Sequence, residues 1–205
     1  YLYAIYFWSY LDAVGSGAGK SYTEYTSILN YGGKPNIQYK AVDNTILITL
    51  DIDPITGVDI KPPYNANNFD TDNNYIIYKS NEIKLQKWNH FVINYNGATI
   101  DIFINGELVK SVRGVIPYMT NDNLTIGQSD GLEGGVCNVV YFTEPVTAEQ
   151  VYYLYNSVRM FTPPIVTNSN ETIIEIARRV PSTMNEADLV NYTTTLDTKL
   201  RGNIQ

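Results

Sequence analysis

Residues 3–11 run apolar or alternate with polar ones, which predicts a buried strand. Gly15, Gly17 and Gly19 make the next stretch a flexible loop. Strand-like runs follow at 27–31, 36–42 and 45–51. Residues 53–74 hold Pro54, Pro62 and Pro63 among many Asn and Asp, and read as a long polar loop or an excursion from the sheet. A strand resumes at 75–79. In 88–111, Phe91, Ile93 and Tyr95 share one strand face, and Ile100, Ile102 and Ile104 share another. Asn96-Gly97 and Asn105-Gly106 separate these runs, and Asn-Gly readily takes the two positive-φ positions of a type I′ hairpin. The stretch therefore predicts a three-stranded meander. Strands are also expected at 124–127 and 135–142.

The period then changes. Thr147 is a candidate N-cap with Gln150 as its capping-box partner, and Val151, Leu154, Tyr155 and Val158 follow helical spacing. One short helix thus closes the domain near residue 161. Thr162-Pro163-Pro164 breaks the pattern. Residues 162–205 form a tail with weakly helical segments at 170–179 and 185–200, expected to dock onto a partner more than to complete the core.

Composition agrees with an all-β chain. Twenty-two Asn, 22 Ile and 18 Tyr make up much of the 205 residues; Ile and Tyr favour strands and Asn favours turns. These residues also have AT-rich codons, a bias that an AT-rich genome, such as one from a large DNA virus, would produce. With only 17% charged residues, neutral polar groups must cover much of the surface. The net charge of -7 repels phosphate backbones and argues against nucleic acid or an anionic membrane as partner. Cys137 is the sole cysteine, so no internal disulfide forms, and its apolar setting reads as a buried packing thiol. No segment approaches the ~18 apolar residues of a membrane span. The chain begins without Met, and the expectation is a piece of something longer.

The segment LQKWNHFVINYNGATIDIFINGELVKS resembles the central hairpins of laminin G-like, concanavalin A-like jelly-roll domains. NLTIGQSDGLEGGVCNVVYFTEPVTAEQVYYLYN is similar to that family's closing portion, and IYFWSYLDA and ILNYGG to its first two strands. The resemblance covers about residues 3–157. It implies an antiparallel two-sheet jelly-roll sandwich over 1–161 with one short closing helix. The 53–74 excursion and the C-terminal extended or helical tail at 162–205 depart from the family's pattern. It also implies structural roles for Trp88 and His90, with His90 hydrogen-bonded in the scaffold, beside the turn residues Asn105 and Gly106.

GSGAGKS at 15–21 has only three residues between Gly15 and Gly19 and strand-like flanks, so it is not a phosphate loop. A single histidine excludes a His-pair zinc site and supports no nucleophilic triad. The Glu-x-Asp-x-x-Glu strand of sandwich glucanases is absent. Glu186-Ala187-Asp188 continues as Leu-Val-Asn, and Pro54 ends the run carrying Asp51 and Asp53. No catalytic residue and no required cofactor is therefore expected. Asp70, Asp72 and Asn74 offer oxygen ligands for a single Ca²⁺ as in some lectin sandwiches, with a solvated turn as the alternative. An EF-hand is rejected because Tyr75 and Asn81 stand where it needs Gly and Glu. Glycosylation sequons begin at Asn123, Asn170 and Asn191.

Two roles follow. One is a non-catalytic module recognising carbohydrate or glycoprotein, extracellular or surface-exposed. The other is a structural component of a larger assembly such as a virion, in which the sandwich is a spacer and the tail clamps neighbouring subunits.

Overall fold

The computed structural model describes residues 2–13, 19–52, 68–117 and 122–165. Numbered in chain order, the strands are β1 (Leu2–Leu11), β2 (Thr26–Tyr31), β3 (Asn36–Lys40), β4 (Thr45–Leu50), β5 (Tyr75–Ser80), β6 (Trp88–Asn96), β7 (Thr99–Ile104), β8 (Glu107–Arg113), β9 (Leu124–Ile126) and β10 (Gly134–Phe142). They form two five-stranded sheets, ordered β10-β1-β6-β7-β8 and β5-β4-β3-β2-β9. Every strand pairing is antiparallel. The all-β sandwich expected from the pattern is the observed fold.

Alternation along the strands builds two apolar layers. Ile5, Phe7, Ile93 and Ile102 of the first sheet meet Leu29, Ile37 and Ile48 of the second. Each such side chain stabilises the fold by roughly 1.5–3 kcal/mol when fully buried. The opposite face of the first sheet carries Ala4, Tyr6, Trp8, Val92 and Phe103. It would lie open to water without helix α2 (Ala148–Val158), which covers it with Val151, Leu154 and Val158. This double burial is why β1 reads as a nearly unbroken apolar run. Helix α2 begins with the predicted capping box: the Gln150 N–H donates to Thr147 Oγ1 at 3.2 Å, and the Thr147 N–H donates to Gln150 Oε1 at 2.8 Å. Asn94 clips the approach to the helix, donating to the Val146 carbonyl and accepting from the Val146 N–H, both at 3.0 Å.

Some local expectations change. The Asn105-Gly106 turn has φ of 54° and 84°, as type I′ requires. At the first turn only Gly97 is positive, at 65°. Gly97 and Ala98 are the turn residues there, and Asn96 pairs with Thr99 in the ladder. That is the pattern of type II′, with Gly first. Strand β3 ends at Lys40, and Ala41–Asp43 form a 3-10 turn. A four-residue helix α1 (Lys20–Thr23) follows the glycine loop. Strand β5 carries a bulge: Ile48 pairs with Tyr78 but Thr49 with Ile76, so Ile77 is the extra residue. Cys137 is half-buried, and burial pushes its thiol up to about 11.

The glycine loop at 15–18, residues 53–67 of the polar excursion, and the helical segments expected at 170–179 and 185–200 lie outside the described residues. So do the sequons beginning at Asn170 and Asn191. The described chain ends beyond α2, where Asn138 Nδ2 donates to the Pro164 carbonyl at 2.5 Å. Among the described residues, no helix is long and apolar enough to cross a membrane.

Candidate functional site

The outward face of the second sheet is where polar side chains and rings gather. Alternation sends Ile37 and Tyr39 of β3 inward, so Gln38 and Lys40 point outward. Leu47 lies beside them on β4, and Ile76 and Lys79 on β5. With Tyr25 on one side and Phe69 on the other, they line a groove of about 560 Å³. That lies within the range of ligand clefts. Glu24 and the loop residues Asp70, Thr71 and Asp72 complete the wall.

Both rings are held. Lys40 Nζ lies 5.0 Å from the centre of the Tyr25 ring, a cation–π distance, and 2.7 Å from Asp43 Oδ2. The hydrogen bond to Asp43 keeps the Lys40 ammonium above its ordinary value. Phe69 packs edge-on against Tyr75 at 5.4 Å and bridges to it through the backbone. The groove thus presents two rings, an amide and charges of both signs over a rigid sheet.

The structure brings Asp70 and Asp72 to this groove and closes Asn74 back on Asp70. Asp70 Oδ1 accepts from the Asp72 N–H at 3.0 Å and the Asn74 N–H at 2.7 Å. Asn74 Nδ2 approaches both Asp70 oxygens, at 3.3 and 3.1 Å. Asn73, with φ of 65°, turns the chain between them. Asn74 therefore faces Asp70 with its nitrogen, in hydrogen bonds that a cation would have to displace.

The remaining singled-out residues lie away from the groove. Trp88 is half-buried, rests against Gly135 and pairs with Tyr10 at 5.6 Å. His90 is fully buried among the rings of Tyr6, Trp8 and Tyr155, at 4.9, 5.0 and 5.6 Å. Its hydrogen-bonded role needs correction: neither ring nitrogen has a partner among the described residues. The imidazole is held by aromatic packing, and burial pushes its pKa down to about 3. Its backbone carries the polar contacts instead. The His90 N–H donates to Asn105 Oδ1 at 3.0 Å, and the Asn105 N–H donates to the His90 carbonyl at 2.9 Å. Asn105 Nδ2 adds a bond to Asn89 Oδ1 at 3.2 Å.

Sequence reasoning missed Tyr25, Gln38, Lys40, Phe69 and Lys79 as a group. Alternation within 36–40 shows which side chains face outward, but not which loops flank them. Lys34 was missed too; it is buried and paired with Asp122.

A family model described as the Concanavalin A-like lectin/glucanases superfamily matches residues 3–152. No curated protein matches the sequence. Among solved structures, an HCR/D mutant aligns with a TM-score of 0.50 and 14% identity over 75% of this chain and 36% of its own. The binding domain of botulinum neurotoxin DC in complex with SialylT aligns at 0.49 and 18% identity, over 76% of this chain and 35% of that one. A heptameric SAP-like pentraxin from Limulus polyphemus aligns at 0.48 and 12% identity, over 76% and 70%. The chain spans about a third of the length of the first of these. At such identities the likeness shows the fold alone.

Proposed function

The chain belongs to the Concanavalin A-like lectin/glucanases superfamily, and from that premise we propose that it is a recognition module. It binds carbohydrate, free or on a glycoprotein, in the groove between Tyr25 and Phe69, and does not turn it over. The observation that carries this reading is the groove's make-up: two rings flanking Gln38, Lys40 and Lys79 on a rigid sheet. Pyranose faces are apolar and stack on rings, while their hydroxyls accept hydrogen bonds from amide N–H and ammonium groups and donate to carboxylates. The role places the protein outside the cell or on a surface. Its lack of turnover is supported by the missing Glu-x-Asp-x-x-Glu strand, since sandwich glucanases cleave with a carboxylate pair held on one strand face. The role of a virion component has no comparable observation in its favour.

The test is a glycan array probed with the full chain and with Tyr25→Ala. The expected result is a defined set of bound glycans, with the signal lost or weakened at least about tenfold in the variant, the effect of one stacking contact. An array with no bound glycan, or one on which the variant performs as well as the parent, overturns the reading.

A further inference from the structure

Strand β5 is an edge strand, and the Tyr25 groove occupies only one of its faces. A second groove, of about 370 Å³, lies on the other. It is lined by Ile46 of β4, by Tyr78 and Ser80 of β5, by Glu107 of the β7–β8 hairpin, and by Tyr152 of α2 and Arg159 at its C-terminal end.

The bulge at Ile77 explains why one strand serves both grooves. A strict period of two would place Tyr75, Ile77 and Lys79 on one face and Ile76, Tyr78 and Ser80 on the other. The extra residue resets this register. Tyr78 now stands opposite the inward Ile48, and Ser80 opposite the inward Ile46. Ile76 stays on the outward face, opposite Thr49, and Lys79 joins it there, opposite Leu47. One inserted residue therefore re-aims a tyrosine and a serine into the second groove and turns a lysine out into the first. Apart from the Phe69–Tyr75 bridge, no described residue pairs with the outer edge of β5, so the way across the strand is short.

The two grooves share a chemistry. The second holds Glu82 and Glu107 against Lys84 and Arg159, and the first holds Glu24, Asp70 and Asp72 against Lys40 and Lys79. Charges of both signs nearly cancel in each, which provides donors and acceptors without a field selecting an ion. Each also has a ring in its lining: the half-buried Tyr25 in one, and in the other Tyr152, which is 39% exposed.

We propose that the ligand is a neutral oligosaccharide that crosses β5 and occupies both grooves. The inference rests on the recognition role proposed above and specifies its ligand as an extended chain, not a terminal sugar. Stacked sheets stand about 10 Å apart, so a chain reaching from the outer face of one sheet into the gap between the two must exceed a single sugar ring.

The test is an array of neutral linear oligosaccharides, each present in lengths from one to six hexose or N-acetylhexosamine units. It is probed with the full chain, Tyr25→Ala and Tyr152→Ala, with melting temperatures confirming that both variants fold. The expected result is binding that strengthens with length. Tyr152→Ala should lose about tenfold on six-unit chains, the effect of one stacked ring, and little on one- or two-unit sugars. Tyr25→Ala should weaken binding at every length. The proposal is overturned if Tyr152→Ala binds six-unit chains like the parent, or if one unit binds as well as six; recognition through Tyr25 would then survive alone. If the parent binds no glycan of any length, both readings fall.

Discussion

Gly106 is under two constraints that a single substitution separates. Its φ of 84° is a region that L-residues enter at a cost of about 1–2 kcal/mol. A Cβ built there would sit 2.8, 3.1 and 3.3 Å from Cδ1, Cγ and Cβ of Tyr155. That ring has little room to retreat, since it stacks on Trp8 at 5.6 Å and lies beneath the Arg159 guanidinium. Overpacking of this kind costs about 1–3 kcal/mol. Gly106→Ala should therefore destabilise by about 2–5 kcal/mol, or roughly 4–20 °C in melting temperature for a domain of this size. Gly106→Val should cost more, because a β-branched residue fits positive φ still less well. Gly97 supplies the control. Its φ is 65° and nothing lies within 4 Å of its virtual Cβ, so Gly97→Ala carries only the backbone cost of about 1–2 kcal/mol. Thermal melting of both variants, repeated in a Tyr155→Ala background, isolates the ring contact as a coupling energy. The reasoning is refuted if Gly106→Ala is no worse than Gly97→Ala, or if its effect is unchanged once Tyr155 is truncated.

Two further predictions follow from the buried imidazole and the Asp70 loop. His90 takes up a proton near pH 6.5 when unfolded but only at about 3 when folded. Stability should therefore be unaffected by His90 above pH 6.5 and fall between pH 6.5 and 3 by up to about 1.4 kcal/mol per unit. Melting of the parent and His90→Phe between pH 6.5 and 5, where most carboxylates stay charged, should show the steeper slope in the parent; parallel slopes would count against the sealed imidazole. Because Asp70 is already engaged by its own loop, changing from chelator to millimolar Ca²⁺ should leave the melting temperature unmoved, whereas Asp70→Ala should destabilise the fold by about 0.5–1.5 kcal/mol through loss of its turn hydrogen bonds. A rise in stability with Ca²⁺ would instead establish Asp70, Asp72 and Asn74 as ligands.

The architecture was legible wherever pattern and local chemistry agreed. The alternation at 91–104, the Asn105-Gly106 turn and the Thr147–Gln150 capping box all depend on neighbours in sequence. Each stands where expected. What stayed hidden depends on contacts between distant residues. The type II′ turn at Gly97 differs from type I′ by one position of register, which Asn-Gly alone does not decide. The bulge at Ile77 depends on how β5 meets β4, and the unbroken apolar run Tyr75-Ile76-Ile77-Tyr78 gives no alternation against which an extra residue would stand out. His90 next to Trp88 suggested a hydrogen-bonded scaffold, yet its surroundings come from β1 and α2, far away in sequence. The groove was half visible: Asp70 and Asp72 were singled out for their oxygens, but Tyr25 and Phe69 join them only once the second sheet is assembled.

The most direct test of the proposed recognition site is an amide chemical-shift titration of the full chain with the tightest-binding oligosaccharide from the array. The account predicts that the largest shifts fall on Tyr25, Gln38, Lys40, Phe69 and Lys79, with the sugar intact at the end of the titration. Shifts confined to residues remote from this groove, or cleavage of the oligosaccharide during the experiment, would contradict it.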